Sequence, residues 1–100
     1  MIQLADSHCH IHFSEYDYDI KKTLADARDA GVVHIVAVST DLKTSRESIK
    51  FAGENSDVTA LVGIHPHEAK EALARNEFVE LEKLVKENRE NISGIGECGL

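Results

Sequence analysis

Four short apolar runs, separated by stretches with helical spacing, are the feature that most limits how this chain can fold. The runs lie at Ile2–Asp6, Val32–Ser39, Val58–Ile64 and Ile92–Glu97. VVHIVAV and VTALVGI barely alternate, as expected of parallel strands covered on both faces. Between the runs, Tyr16–Ala30 places Ile20, Leu24 and Ala27 on one helical face and stops at Gly31, a residue suited to a helix C-terminus. The stretch from Thr44 to Glu54 carries Ile49 and Ala52, with Phe51 nearby, and ends before Asn55-Ser56. In the third, Asn76 is placed as N-cap and Phe78, Leu81 and Val85 form a stripe, after a shorter helical turn over Glu68–Arg75.

The pattern β-α-β-α-β-α-β, in units of roughly 25–35 residues, is the period of parallel βαβ crossovers. It predicts an α/β fold with a parallel sheet in the order 1-2-3-4, right-handed crossovers and helices on one face. That is the N-terminal half of a (β/α)₈ TIM-type barrel, so residues 1–100 read as one partial barrel domain of about four strands and three helices. A closed barrel takes ~200 residues or more. The expectation is therefore a fragment, or a half that needs a partner, with marginal stability in isolation.

Composition narrows the function classes. With 42% apolar and 29% charged residues, the chain is neither disordered nor collagenous. Its formal charge of −7 argues against a broad basic surface holding nucleic acid by counterion release. It leaves room for a nuclease, because bound divalent ions can supply positive charge at a reacting phosphate. Cys9 and Cys98 form no CxxC pair, no charged segment precedes an apolar h-region, and no run approaches the ~18 residues that span a bilayer. These features predict a cytoplasmic, reduced protein without a membrane partner.

Three motifs carry chemistry. Asp6-Ser7-His8-Cys9-His10 ends the first strand. Alternation would point Asp6, His8 and His10 one way, inward at the C-terminal mouth where barrel active sites lie. Paired imidazoles there make half of a zinc- or manganese-type site, the plain alternative being surface or capping histidines. Gly63-Ile64-His65-Pro66-His67 ends the third strand, and Pro66 restrains His65 to extended geometry. Its alternative is a turn with solvated histidines. Gly94-Ile95-Gly96-Glu97-Cys98-Gly99-Leu100 puts Glu97 at the same mouth, where a carboxylate opposite two histidines can bridge two divalent ions. The glycine spacing is wrong for a phosphate-cradling GxGxxG.

Other residues read as structural. His12 is placed in a loop past the strand, and His34 at the bottom of the sheet. Cys9 and Cys98 are expected to pack toward the helices, and Tyr16 and Tyr18 at the start of the first helix. Glu77, Glu80, Glu82, Glu87 and Glu90 form a solvated acidic face.

DSHCH, GIHPH and IGECGL, in that order and at these spacings, resemble the N-terminal part of the TatD family of metal-dependent deoxyribonucleases. HxH alone is shared with the wider amidohydrolase and PHP phosphoesterase groups; the combination is far more specific. The resemblance implies His8 and His10 as paired metal ligands, Glu97 as bridging and catalytic carboxylate, and His65 as the active-site histidine near the substrate phosphate, with His67 its companion. It implies one or two divalent ions (Mg, Mn or Zn), phosphodiester hydrolysis, and DNA or another phosphodiester as substrate. Family members supply further histidines and an aspartate from later strands that these residues do not include. The competing readings are an amidohydrolase- or PHP-like hydrolase of small esters or amides, and a non-catalytic domain that binds a partner or self-associates through its open sheet.

Overall fold

A computed structural model describes residues 2–13 and 19–99. Strands β1 (Leu4–Cys9), β2 (Val32–Val38), β3 (Val58–Val62) and β4 (Ile92–Ile95) form one sheet in sequence order, every neighbouring pair parallel. Helix α1 (Ile20–Asp29) follows β1, α2 (Leu42–Glu54) follows β2, and α3 (Ala69–Ala74) with α4 (Glu77–Glu87) follows β3. Class, strand order and direction agree with the sequence reading, and the arrangement is the N-terminal half of a TIM barrel.

The core lies between the helices and one face of the sheet. Ile35, Ala37, Val58, Ala60 and Val62 meet Leu24, Ile49, Phe51, Ala52 and Leu81 there. Burial of each large apolar side chain contributes about 1.5–3 kcal/mol. On the opposite face His34, Val36, Thr59 and Leu61 are only half-buried. At the two outer strands Leu4 and Ile95 stay 50% and 58% exposed, with Phe78 also exposed beside β4. Among the described residues β1 and β4 each have a strand neighbour on one side only.

Several local details depart from the periodicity. β1 runs three residues later than expected, so His8 sits within it. The start of α1 is set by Asp19, whose carboxylate accepts from the Lys22 amide; Tyr16 and Tyr18 lie outside the described residues. Helix α2 starts at Leu42, two residues early, because Asp41 and Thr44 form a reciprocal capping box. Asn76 precedes α4 in the left-handed region (φ 58°) and makes no capping bond. Its amide closes the preceding turn on the Leu73 carbonyl, so it ends α3 as much as it starts α4. Gly31 has φ +102° after α1, where a Cβ would also sit 2.8 Å from the Ile2 carbonyl oxygen. Arg28 reaches from the end of α1 to Asp57 with two hydrogen bonds of 2.8 Å, holding the Asp57 carboxyl below its ordinary range.

The C-terminal end of β3 hangs on helix α2. Ser39 Oγ lies 2.8 Å from Ser48 Oγ, and the Gly63 amide donates to Ser45 Oγ. Gly63 in turn touches the backbone ahead of Glu97: a Cβ on it would lie 2.6 Å from the Gly96 oxygen. His12 occupies a turn, as expected, but is 5% exposed. Its ring stands edge-on to Phe13 and, among the described residues, neither nitrogen has a hydrogen-bond partner. Burial pushes its pKa down to about 4, helped by the neighbouring His10 and slightly opposed by the Thr44 carbonyl.

Two predictions follow from this packing. Between pH 6.5 and 4 the folded chain binds fewer protons at His12 than the unfolded one, so its stability contribution is complete above 6.5 and fades as pH falls toward 4. The wild-type unfolding free energy, relative to a His12→Phe variant, should drop by up to about 3 kcal/mol over that window in denaturant titrations. A pH-independent difference would contradict the assignment. Separately, Gly63→Ala should destabilise by about 1–3 kcal/mol through backbone overlap, visible as a lowered Tm, whereas Gly99→Ala, which meets no neighbour among the described residues, should show only its backbone conformational penalty.

Candidate metal centre

His8 comes from the last residues of β1, His10 from just past its end, and Glu97 from just past β4. Their donor atoms lie within 4.8 Å of one another. His8 Nε2 is 3.5 Å from Glu97 Oε2. His10 lies 2.8 Å from the Val38 carbonyl through Nδ1, which must donate there and so leaves the Nε2 lone pair free. His8 and Glu97 are half open to solvent, and the histidine rings stand edge to face at 5.2 Å.

His65 approaches from the third strand's end, where its backbone is extended (φ −63°, ψ 146°), as Pro66 requires. Its Nε2 is 3.8 Å from Glu97 Oε1. The His67 amide donates to His65 Nδ1 at 3.1 Å. That nitrogen carries no proton, so the neutral ring bears its N–H at Nε2, on the Glu97 side. His67 is exposed, its ring 4.7 Å from that of His65, and it stands outside the three-donor cluster.

What brings these groups together is backbone of β2 and the residues just after it. The Val38 carbonyl accepts from His10, the Ser39 carbonyl from the Glu97 amide (3.4 Å), and the Thr40 carbonyl from the His65 amide (2.7 Å). Sequence reasoning missed this role because these residues contribute main-chain oxygens, for which side-chain identity gives no signal.

Two expectations about side-chain direction are corrected. Asp6 does not share a face with His8 and His10. The register pairs Asp6 with Ile35 and Cys9 with Ala37, so three residues of β1 span two of β2. This bulge puts Asp6 on the side of Cys9 and of Thr23 and Ala27, where its carboxylate accepts from the His8 amide at 3.0 Å. Cys98 is exposed rather than packed, since among the described residues no helix lies over it. Cys9 does turn toward the helices, with Sγ 3.6 Å from the Val36 carbonyl and its thiol pKa raised by burial. His34 rests against Thr59 Oγ1 at 3.2 Å, away from the centre, as anticipated.

No helix among the described residues is long and apolar enough to cross a membrane. The family model described as TatD related DNase matches residues 5–100. Among curated proteins, the chain is 34% identical over 91 residues to the 3'-5' ssDNA/RNA exonuclease TatD of Cronobacter sakazakii, covering 87% of this chain and 32% of that protein. It is 31% identical over 87 residues to the enzyme of the same name from Escherichia coli K12, with the same shares. To the uncharacterized metal-dependent hydrolase YabD of Bacillus subtilis it is 28% identical over 97 residues, 97% of this chain and 37% of that protein. The chain thus spans about a third of the length of these relatives. With HxH, GIHPH and GECGL in place and the match running from Ala5 onward, the chain belongs to the TatD family.

Proposed function

We propose that residues 1–100 form a partial TIM-barrel domain carrying the N-terminal share of a metal-dependent phosphodiester hydrolase site that acts on DNA or a related nucleic acid. The observation that carries this reading is the convergence of His8, His10 and Glu97 donors within 4.8 Å, with His65 on the far side of the same carboxylate. Three protein donors with open positions suit a catalytic ion better than a closed structural one. A divalent ion (Mg²⁺, Mn²⁺ or Zn²⁺) held there would supply Lewis acidity at the phosphate and ionise water near neutral pH.

The chain's own groups divide the remaining work. His10, oriented by Val38, and His8 offer neutral imidazole nitrogens. Glu97 turns one oxygen to His8 and the other to His65, a disposition suited to bridging a second ion and to catalysis. His65, with its proton at Nε2, donates to a phosphate oxygen or to the leaving group. His67, exposed beside it, extends the contact to substrate phosphate. At a net charge of −7, attraction for a polyanion rests on the bound ions.

The family match favours this reading over the amidohydrolase and PHP alternatives. The exposed edges at Leu4 and Ile95 support a second element of the proposal: a C-terminal barrel half, or a second copy of this chain, covers β1 and β4. The free Cys9 and Cys98 suit a reducing, cytoplasmic setting.

Calorimetric titration with Mn²⁺ and Zn²⁺ tests the centre directly. The chain should bind, and a His8→Ala/His10→Ala variant should not; equal binding by both would remove the basis of the proposal. In the assembly that hydrolyses single-stranded DNA, His65→Ala should lower kcat about 10²–10⁴-fold with metal affinity unchanged. A parallel loss of metal would instead make His65 a ligand. Sedimentation velocity on the 100-residue chain reports the cover: a dimer supports pairing through the free edges, and a stable monomer speaks against it.

A further inference from the structure

Asp6 opens the DSHCH motif but has no part in the roles above. It stands outside the cluster formed by the His8, His10 and Glu97 donors, and its side chain lies on the other side of the sheet. There it shares a groove with Cys9, Thr23, Ala27 and Ile35. The same side of β2 and β3 carries Ile35, Ala37, Val58, Ala60 and Val62, each buried. Asp6 is exposed, which lets it keep its charge, but packing alone favours an aliphatic residue at this position. The carboxylate therefore has another reason to be there.

That reason is the bulge in β1. Between Asp6 and Cys9, three residues of β1 span two of β2. A bulge takes a residue out of regular pairing, and its amide then needs an acceptor other than the ladder. Asp6 Oδ1 accepts from the His8 amide at 3.0 Å, inside the irregular stretch. The bond fixes the backbone of the residue whose Nε2 lies 3.5 Å from Glu97 Oε2. His10 is held by the Val38 carbonyl, Glu97 by Ser39 and His65 by Thr40. For His8 the corresponding anchor is the Asp6 carboxylate.

Resting on the hydrolase reading, we propose that Asp6 is a positioning residue that, through the His8 amide, holds the bulge presenting the His8 imidazole to Glu97. What the role requires is an acceptor oxygen rather than a charge. Asparagine can supply that oxygen and an aliphatic side chain cannot. Valine makes the sharper test, because a β-branched apolar residue suits a helix-facing strand position. If Asp6 served packing alone, Asp6→Val would leave metal affinity unchanged and the fold as stable or more so.

The test compares the 100-residue chain with Asp6→Val and Asp6→Asn by calorimetric titration with Mn²⁺, by Tm, and by hydrogen exchange of the His8 amide without metal. Asp6→Val should weaken Mn²⁺ binding about 10–100-fold at an equal or higher Tm. Its His8 amide should exchange faster, while Asp6→Asn stays close to wild type in both readouts. Undiminished affinity in Asp6→Val overturns the proposal, and so does an equal loss in Asp6→Asn. A His8 amide that exchanges at the unprotected rate in folded wild type overturns it without any variant, should Asp6→Val fail to fold. The two readings fail differently. Wild type that binds no Mn²⁺ defeats the hydrolase reading and the positioning role with it, whereas equal binding by wild type and Asp6→Val defeats the positioning role alone.

Discussion

Three successive carbonyls, of Val38, Ser39 and Thr40, hold the imidazole of His10, the amide of Glu97 and the amide of His65. Three of the four groups at the candidate centre thus refer back to the end of one inner strand, and His8 is placed by β1 itself. The end of β2 is a rigid choice. Ala37, Val38 and Ser39 are wholly buried, and α2 is bound to this end by the Ser39–Ser48 contact and by Thr44, which accepts from the Thr40 amide. The capping box at Asp41 fixes where α2 begins, and with it the position of the strand end. Side chains that must meet within a few ångströms are therefore placed by main-chain bonds on rigid elements, the condition for a site held ready before its ligand arrives.

Cover on the two sides of the sheet is unequal, and the centre lies on the poorly covered side. The helix side has a continuous apolar core, whereas the other face leaves Val36 and Leu61 half-buried and the outer strands exposed. A closed barrel fills that inner face with side chains from all of its strands. The same geometry keeps His8 and Glu97 accessible, so the openness that weakens packing also gives ligands a path to the donors.

Much of this was legible in the sequence because it depends on local pattern. Near-continuous Val and Ile runs reported buried parallel strands, and Gly31 and Pro66 fixed local backbone geometry that the structure reproduces. The pairing of HxH with a glutamate at the end of the fourth strand is brought together as spacing suggested. The misreadings share a cause. Alternation along β1 assumes an unbroken ladder, and the bulge that rotates Asp6 out of the row exists only in register with β2. His12 lies in a turn past the strand, as read, but its burial against Phe13 and the start of α2 had no signal in the sequence. Asn76 has the right chemistry for a cap but is drawn into the turn that closes α3.

The sequence by itself determined the class of fold, the order of the strands and the residue types available at one end of the sheet, since period and turn chemistry act over a few residues. Only the tertiary structure decided which of those residues meet. Cross-strand register, the close backbone approach of Gly63 to Gly96 and the proton on His65 arise between segments more than 20 residues apart or from main-chain partners. Those contacts are set by packing α2 against β2 and β3, and no single segment of the chain encodes that packing.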